Sequence, residues 1–144
     1  MPQPLINHVG MVVPSIGEYL EKNAVIYAGF SRGPLIVNSV QKVREMFISD
    51  GHTVIELLEP DGESSPIAGF LKRNRAGGLV HLALDVDNLE ATLREIENSG
   101  GKVVLEPTPD IAFQGRRIAF AVLNGQITEF IERRKWPVGG TTHD

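Results

Sequence analysis

Two histidines and two glutamates share one spacing in this chain, and together they could form a metal site. His8 precedes Glu56 by 48 positions, and His81 precedes Glu129 by the same 48 positions. Each residue is therefore 73 positions from its counterpart. Two copies of one module would place the four at equivalent points, and a pseudo-twofold axis would bring them together. Neutral imidazoles and carboxylates suit a divalent first-row ion, with coordination positions left for substrate.

The two glutamates are unusual for the strands that carry them. Glu56 interrupts the apolar run Thr53–Leu58, and Glu129 interrupts Ile127–Ile131. A buried carboxylate is costly unless it is paired or bound to a metal. The alternative interpretation is that both side chains point to solvent from half-exposed strands.

The same offset extends to apolar residues, so the repeat does not depend on the four polar residues alone. The matched pairs are Val13 and Val86, Ile16 and Leu89, Leu20 and Leu93, Phe47 and Phe120, and Leu58 and Ile131. Long self-similarity indicates tandem copies of one structural unit. The turns Asp50-Gly51 and Asn124-Gly125 are 74 positions apart. This difference predicts an extra residue or a bulge in one hairpin.

Each copy has the pattern strand, helix, strand, hairpin. The predicted strands are 4–13, 33–37, 42–49 and 52–59 in the first copy, and 79–86, 102–106, 116–123 and 126–133 in the second. Ser15 predicts the cap of a first helix that ends at Gly29, and a second helix is predicted near 88–98. Ser65-Pro66 predicts the cap and first residue of a short helix between the copies.

These elements predict an α+β protein. Two tandem βαβββ modules would form an eight-stranded curved mixed sheet around a metal-binding cup. A single domain would cover residues 1–144, with module 1 over about 4–60, a linker helix over about 65–75 and module 2 over about 78–134. An open sheet leaves edges to cover, which favours an oligomer.

Composition argues against several classes of function. A net charge of −4 and a pI near 5.6 give no support for a nucleic-acid surface. The chain has no cysteine, so thiolate metal ligands and cysteine nucleophiles are excluded. We expect no membrane partner, since no apolar run approaches the roughly 20 residues that a spanning helix needs. The first residues lack the pattern of a signal peptide, and the expected location is the cytoplasm.

Four segments carry a resemblance to a known family. They are Asn7-His8-Val9-Gly10, Glu56-Leu-Leu-Glu-Pro60, Ser65-Pro-Ile-Ala-Gly-Phe-Leu71 and Gly78-Leu-Val-His-Leu-Ala83. In them the chain resembles the vicinal oxygen chelate superfamily, and within it the methylmalonyl-CoA epimerases. The resemblance runs from about Ile6 to Glu132. It implies a homodimer and a small-molecule acyl thioester as substrate.

The resemblance also implies a mechanism. One divalent ion (Co, Mn, Ni or Zn) held by His8, Glu56, His81 and Glu129 would polarise a 2-substituted malonyl thioester and ease the loss of its α-proton. Glu45, in Gln41-Lys-Val-Arg-Glu45, matches the first base of the epimerases. Glu129 matches the ligand that doubles as the second base. Glu45 is in phase with Val43 and Phe47 and should share their face of the strand.

Other members of the superfamily provide the alternatives. Glyoxalase I (lactoylglutathione lyase) also uses two histidines and two glutamates, but it lacks the helix between the modules and a counterpart of Glu45. Glu56 itself stands where the epimerases often have glutamine. An iron extradiol dioxygenase needs only one carboxylate. Drug-binding resistance proteins of the same fold are not catalytic and do not need the metal ligands.

Two groups of basic residues are weaker candidates for substrate binding. Lys72, Arg73 and Arg75 either meet the phosphates of the thioester carrier or form a solvated helix end. Arg116 and Arg117 lie beside a glycine loop, and one of them is a candidate partner for a substrate carboxylate.

Overall fold

The computed structural model describes residues 3–133; the predicted domain's ends, 1–2 and 134–144, lie outside the described residues. Contacts between residues divide the chain into two compact units. One unit is His8–His81, and the other comprises the residues up to Asn7 and those from Leu82 onward. That the chain is one domain stays a prediction.

Module 1 follows the predicted order of elements. Its elements are β1 (Leu5–Val12), α1 (Ile16–Lys22), α2 (Ala24–Tyr27), β2 (Ser31–Arg32), β3 (Ile36–Asn38), β4 (Val43–Ser49), β5 (Val54–Pro60) and, after the last strand, α3 (Ala68–Arg73). Strands β2 and β3 pair with β4, and β4 pairs with β5, all antiparallel. Strand β5 pairs with β1 in parallel. The β1 strand is therefore beside the last strand of its module.

The outer strand of this module is in two parts. The predicted strand 33–37 becomes β2 and β3, which both pair with β4. Between them the Gly33 N–H donates to the Phe47 carbonyl at 2.8 Å, and Pro34 has no N–H to offer the ladder. Because of this interruption, residues 3–133 contain nine strands rather than the predicted eight.

The first helix also differs from its prediction. The Ser15 hydroxyl accepts from the Glu18 N–H and begins α1, as predicted. Asn23 then takes a non-helical conformation, and its side-chain amide donates to the Tyr19 carbonyl at 2.8 Å. This local competition with the backbone ends α1, and the short α2 follows.

The helix between the modules begins later than predicted. It starts at Ala68 rather than at Pro66. The Ser65 hydroxyl is buried and has no hydrogen-bond partner among residues 3–133, so the predicted side-chain cap is wrong. The Ser65 carbonyl instead accepts from the Ala68 N–H at 3.1 Å in a turn. Phe70 and Leu71 of α3 pack against buried apolar residues of β1, β4 and β5.

Module 2 has one strand or helix for each predicted element. They are β6 (Gly78–Val86), α4 (Leu89–Asn98), β7 (Lys102–Pro109), a 3₁₀ turn (Ile111–Phe113), β8 (Arg117–Leu123) and β9 (Gln126–Glu132). In the unit from Leu82 onward, the strand order is β6-β9-β8-β7, with β6 and β9 parallel. The predicted strand 102–106 extends to Pro109 in β7, whose irregular pairing with β8 tolerates proline.

The strand ladders repeat the offset of 73. In module 1, Glu56 is opposite Gly10 on one side and Phe47 on the other. In module 2, Glu129 is opposite Ala83 and Phe120, which are the residues 73 positions further along. The α+β class and the two βαβββ modules are thus confirmed.

The two hairpins have the same length, contrary to the prediction of an extra residue. The first closes at the pair Ser49 and Val54 around a four-residue loop. The second continues to the pair Leu123 and Gln126, which leaves a two-residue turn. Asn124 and Gly125 both have positive φ there, as a type I′ turn requires. The pair Ser49–Val54 corresponds to Val122–Ile127, and the second hairpin adds one further pair inside it. The tight turn is therefore placed differently within the two loops, which explains the offset of 74 positions.

None of the helices in residues 3–133 is long and apolar enough to span a membrane.

Candidate metal centre

Three of the four predicted ligands meet within the His8–His81 unit. His8 is on β1, Glu56 on β5 and His81 on β6, and all three side chains are buried. The two histidine Nε2 atoms are 3.2 Å apart, and each is 3.3 Å from Glu56 Oε1. The parallel pairing of β1 with β5 brings His8 and Glu56 to one face although 48 positions separate them.

The spacing of these atoms fits a first-row metal ion. Bonds of about 2.0–2.2 Å separate neighbouring ligand atoms of one ion by about 3.0–3.4 Å. The three atoms of this cluster are 3.2–3.3 Å apart, so one ion could contact all of them. Two imidazoles and a carboxylate are also the donors that such ions accept.

Packing holds the two imidazole rings in place. The His8 ring lies edge-on to the Phe47 ring, with centroids 5.5 Å apart. The His81 ring lies against the backbone of β1 at Gly10. A Cβ atom at Gly10 would be 2.3 Å from His81 Cε1, far inside contact distance. A glycine is therefore required at this position for the ring to lie where it does.

The Glu56 carboxyl group is ionised in this environment. Burial alone would raise its pKa, but hydrogen bonds with His8, His81 and Glu45 outweigh burial and hold the pKa below its usual range. An ionised Glu56 provides the negative charge that a divalent cation needs.

Glu45 joins this cluster from β4. Its side chain is 3% exposed, and its carboxyl group hydrogen bonds with that of Glu56. The Asn38 side chain, also 3% exposed, donates to Glu45 Oε1 at 3.4 Å. Because Phe47 contacts His8 and Glu45 contacts Glu56, the predicted shared face of Glu45 and Phe47 is confirmed.

Glu129, the fourth predicted ligand, lies in the other unit. It is on β9 and is 3% exposed, so the alternative of a solvent-facing carboxylate is wrong here, as it is for Glu56. Within its own module Glu129 has the same ladder position as Glu56. Its role as a ligand stays a prediction.

Arg117 is part of a repeated ion pair. Its guanidinium contacts Glu132 and lies 2.6 Å from Glu90 Oε1. In module 1, Arg44 and Glu59 form the equivalent pair at 2.8 Å, again at an offset of 73. Arg117 is thus held in ion pairs within its module. Arg116, the other arginine suggested as a partner for a substrate carboxylate, lies over the Phe113 ring.

The basic side chains at the end of α3 and just after it are at the surface. Lys72 and Arg75 line a cavity of about 620 Å³ together with Pro60, Gly62, Glu63, Ala68 and Leu71. Arg73 is exposed.

Sequence reasoning missed two residues at this centre. The need for glycine at position 10 and the contact of Asn38 with Glu45 both depend on pairing between strands. Asn38 is opposite Val43 across the β3–β4 ladder, which makes Glu45 its diagonal neighbour. The contact of Asn38 with Glu45 could have been predicted from the sequence only if the β3–β4 register had been predicted as well.

The chain is similar in sequence to several known proteins. The profile of the Glyoxalase/Bleomycin resistance protein/Dioxygenase superfamily matches residues 7–120. The mitochondrial methylmalonyl-CoA epimerase of Dictyostelium discoideum is 31% identical over 132 residues, which are 89% of this chain and 78% of the relative. The ethylmalonyl-CoA/methylmalonyl-CoA epimerase of Cereibacter sphaeroides is 36% identical over 118 residues, covering 80% of this chain and 85% of the relative.

A solved structure shows the same fold. The crystal structure of methylmalonyl-CoA epimerase from Mycobacterium tuberculosis is 28% identical, with a TM-score of 0.76 over 92% of this chain and 91% of that chain. The match of the superfamily profile and the identity to these epimerases confirm the predicted resemblance. The chain belongs to the Glyoxalase/Bleomycin resistance protein/Dioxygenase superfamily, in the branch that contains the methylmalonyl-CoA epimerases.

Proposed function

We propose that this protein is an isomerase that inverts the α-carbon of a carboxylated acyl thioester such as methylmalonyl-CoA. The observation that carries the proposal is the buried Glu45 carboxyl group beside His8, Glu56 and His81. The names of the Dictyostelium and Cereibacter relatives support the same reaction. The second name includes ethylmalonyl-CoA, so the size of the 2-substituent is a question for a substrate panel.

The four residues His8, Glu56, His81 and Glu129 would together bind one divalent ion, with Co, Mn, Ni and Zn as candidates. The burial of all four side chains and the matching ladder positions of the two glutamates support this set. When bound, such an ion acts as a Lewis acid that stabilises negative charge on the substrate oxygens by several kcal/mol.

Glu45 and Glu129 would act as the two bases of the inversion. The Glu45 carboxylate accepts the α-proton, and the electron pair of the broken C–H bond moves into the thioester enolate. The protonated Glu129 carboxyl group then delivers its proton to the opposite face of the α-carbon, and solvent restores both groups. In the reverse direction they exchange roles. Burial of both carboxyl groups keeps water away from the enolate.

The glyoxalase I reaction is the second candidate, and Glu56 is the observation that favours it. Glutamate at this position gives the predicted ligand set two carboxylates, as in glyoxalase I. Glu45 favours the epimerase instead, since glyoxalase I has no counterpart of it. A hemithioacetal of glutathione therefore belongs in the substrate panel.

The protein would be a homodimer. Apolar side chains on the outer strand and on α2 are exposed, among them Val25, Ile26 and Val37. Among the strands of the described residues, β3 pairs with β4 alone, which leaves its other edge uncovered. Covering such an edge and its apolar neighbours with a second copy is a common solution. Light scattering at micromolar concentration should give twice the chain mass of 15.8 kDa. A monomer would contradict the proposal.

The cytoplasmic location is a separate prediction. The Dictyostelium relative is named as mitochondrial, so fractionation of the source cells is the appropriate test.

Metal analysis combined with hydrogen exchange tests the proposed reaction. Purified protein should contain about one divalent ion per chain. In heavy water it should place deuterium at the α-carbon of a malonyl-type thioester and invert that carbon, and removal of the ion with a chelator should abolish both. Metal-loaded protein that exchanges no thioester in the panel would contradict the epimerase. Turnover of the hemithioacetal instead would identify the glyoxalase I reaction.

A further inference from the structure

Asn38 connects the outer strand of module 1 to the proposed base. Its side chain is 3% exposed at the end of β3, and the Asn38 Nδ2 atom is 3.4 Å from Glu45 Oε1. Glu45 is not within the group of candidate metal ligands. A contact with Glu45 therefore does not compete with metal binding.

The orientation of the Asn38 amide is determined by a second hydrogen bond. Asn38 Oδ1 accepts from the Gln41 N–H at 3.1 Å across the loop that leads into β4. Because the oxygen is used by this backbone donor, the NH₂ group must face the other way, toward Glu45. The loop thus aims a neutral donor at the carboxyl group.

We propose that Asn38 is a positioning residue for the inversion, one that holds the Glu45 carboxylate in line with the α-proton. The inference rests on the proposed function. Glu45 also hydrogen bonds with Glu56, and an ion bound at Glu56 would compete with Glu45 for that carboxylate. The Asn38 amide remains as a donor to Glu45 when this happens. An amide is suited to the task because its NH₂ group donates to a carboxylate oxygen without adding a charge to the site.

A structural role for Asn38 must be separated from a positioning role. Asparagine, aspartate and serine all accept hydrogen bonds from nearby backbone N–H groups in turns. Asn38→Ser keeps a short acceptor for Gln41 and removes the amide that reaches Glu45. Asn38→Asp keeps the size and the acceptor, and replaces the NH₂ group by a second oxygen. Asn38→Ser should therefore melt close to the wild-type temperature and is the primary test. Asn38→Asp adds a buried carboxyl group beside Glu45, so its melting temperature is measured in parallel.

The experiment measures inversion and exchange separately in heavy water. Each pure epimer is incubated with metal-loaded wild type or variant. Inverted product is then counted apart from deuterated substrate of unchanged configuration. Inversion needs both bases, whereas the epimer whose proton faces Glu129 can exchange with retention through Glu129 alone. Asn38→Ser should lower kcat for inversion by about tenfold or more, less than the loss of the base itself, with KM and metal content unchanged.

The exchange data discriminate between the two roles. Exchange with retention from one epimer should persist at the wild-type rate in Asn38→Ser and Asn38→Asp. Wild-type inversion rates in both variants would overturn the inference while leaving the epimerase intact. An equal fall of inversion and retained exchange would also overturn it, because general damage to the site affects both bases. Absence of exchange in the wild type would overturn the proposed function and this inference with it.

Discussion

At the scale of single residues, the proposed metal ligand Glu56 and the proposed base Glu45 differ in their contacts. Glu56 is hydrogen bonded to both histidines, whereas Glu45 contacts Glu56 and Asn38 from the neighbouring strand. The two carboxyl groups are both buried and hydrogen bond with each other, but a glutamine at position 45 can still donate to Glu56. This separation allows binding and catalysis to be tested independently.

Glu45→Gln should keep the metal and lose turnover. Glutamine has nearly the same size but cannot accept a proton at neutral pH, and loss of a general base lowers kcat by about 10²-fold or more. Metal analysis and turnover should be measured on the same sample. The exposed Glu21→Gln on α1 is the matched control and should behave as wild type. Full activity in Glu45→Gln would reject the epimerase mechanism and favour glyoxalase I chemistry.

Gly10→Ala should weaken metal binding. The added methyl group would be 2.3 Å from His81 Cε1, so the imidazole must move away from its place beside His8 and Glu56. Displacing a ligand's support typically costs 10–100-fold in metal affinity. The Kd can be measured by competition with a chromogenic chelator. Ala83→Gly, at the equivalent ladder position of module 2, is the control, and wild-type affinity in Gly10→Ala would contradict the packing argument.

At the scale of elements, the two modules use the same ladders but close them differently. Each module has an antiparallel hairpin whose second strand pairs in parallel with the first strand of the module. Each also has an arginine–glutamate pair between the strands of that hairpin, at Arg44 and Glu59 and at Arg117 and Glu132. Glu59 additionally accepts from the Ile16 N–H and so connects the hairpin to the start of α1.

Replacing a turn glycine and a helix glycine by alanine should change the free energy of unfolding in opposite directions. Gly125 has φ +76, which alanine adopts only with strain, so Gly125→Ala should lower the free energy of unfolding by about 1 kcal/mol or more. Gly17 is in α1 with open space around it, so Gly17→Ala should raise that free energy by about 0.5–1 kcal/mol. Urea unfolding checks both. The same sign for the two variants would contradict these conformations.

At the scale of the whole molecule, metal binding and folding should be coupled. A ligand that binds only the folded chain stabilises it by about 2.7 kcal/mol at a free concentration of 100 times its Kd. The melting temperature should therefore fall by several degrees when a chelator removes the ion. His81→Ala should show a much smaller change with chelator, because one ligand is missing. If the chelator lowers the melting temperature of His81→Ala as much as that of the wild type, the stabilising ion binds at another site.

The sequence alone determined the repeat and the chemistry that the repeat can support. The offset of 73 between His8 and His81, and between Glu56 and Glu129, can be read directly from the amino-acid sequence. It could be converted into a fold because side chains alternate along strands, and equivalent modules place equivalent residues on equivalent faces. The α+β class, the two modules and the relation to the epimerases are confirmed.

Only the tertiary structure decided the contacts that connect distant strands. The His81 ring lies against Gly10, and Asn38 reaches Glu45 from an outer strand that proved to be in two parts. These contacts depend on strand register and on ring orientation, which local sequence patterns do not specify. The two differences in the helices have a similar origin. At Ser65 a backbone turn formed in place of the predicted helix cap. At Asn23 a hydrogen bond from the side chain to the Tyr19 carbonyl ended α1 before the predicted Gly29.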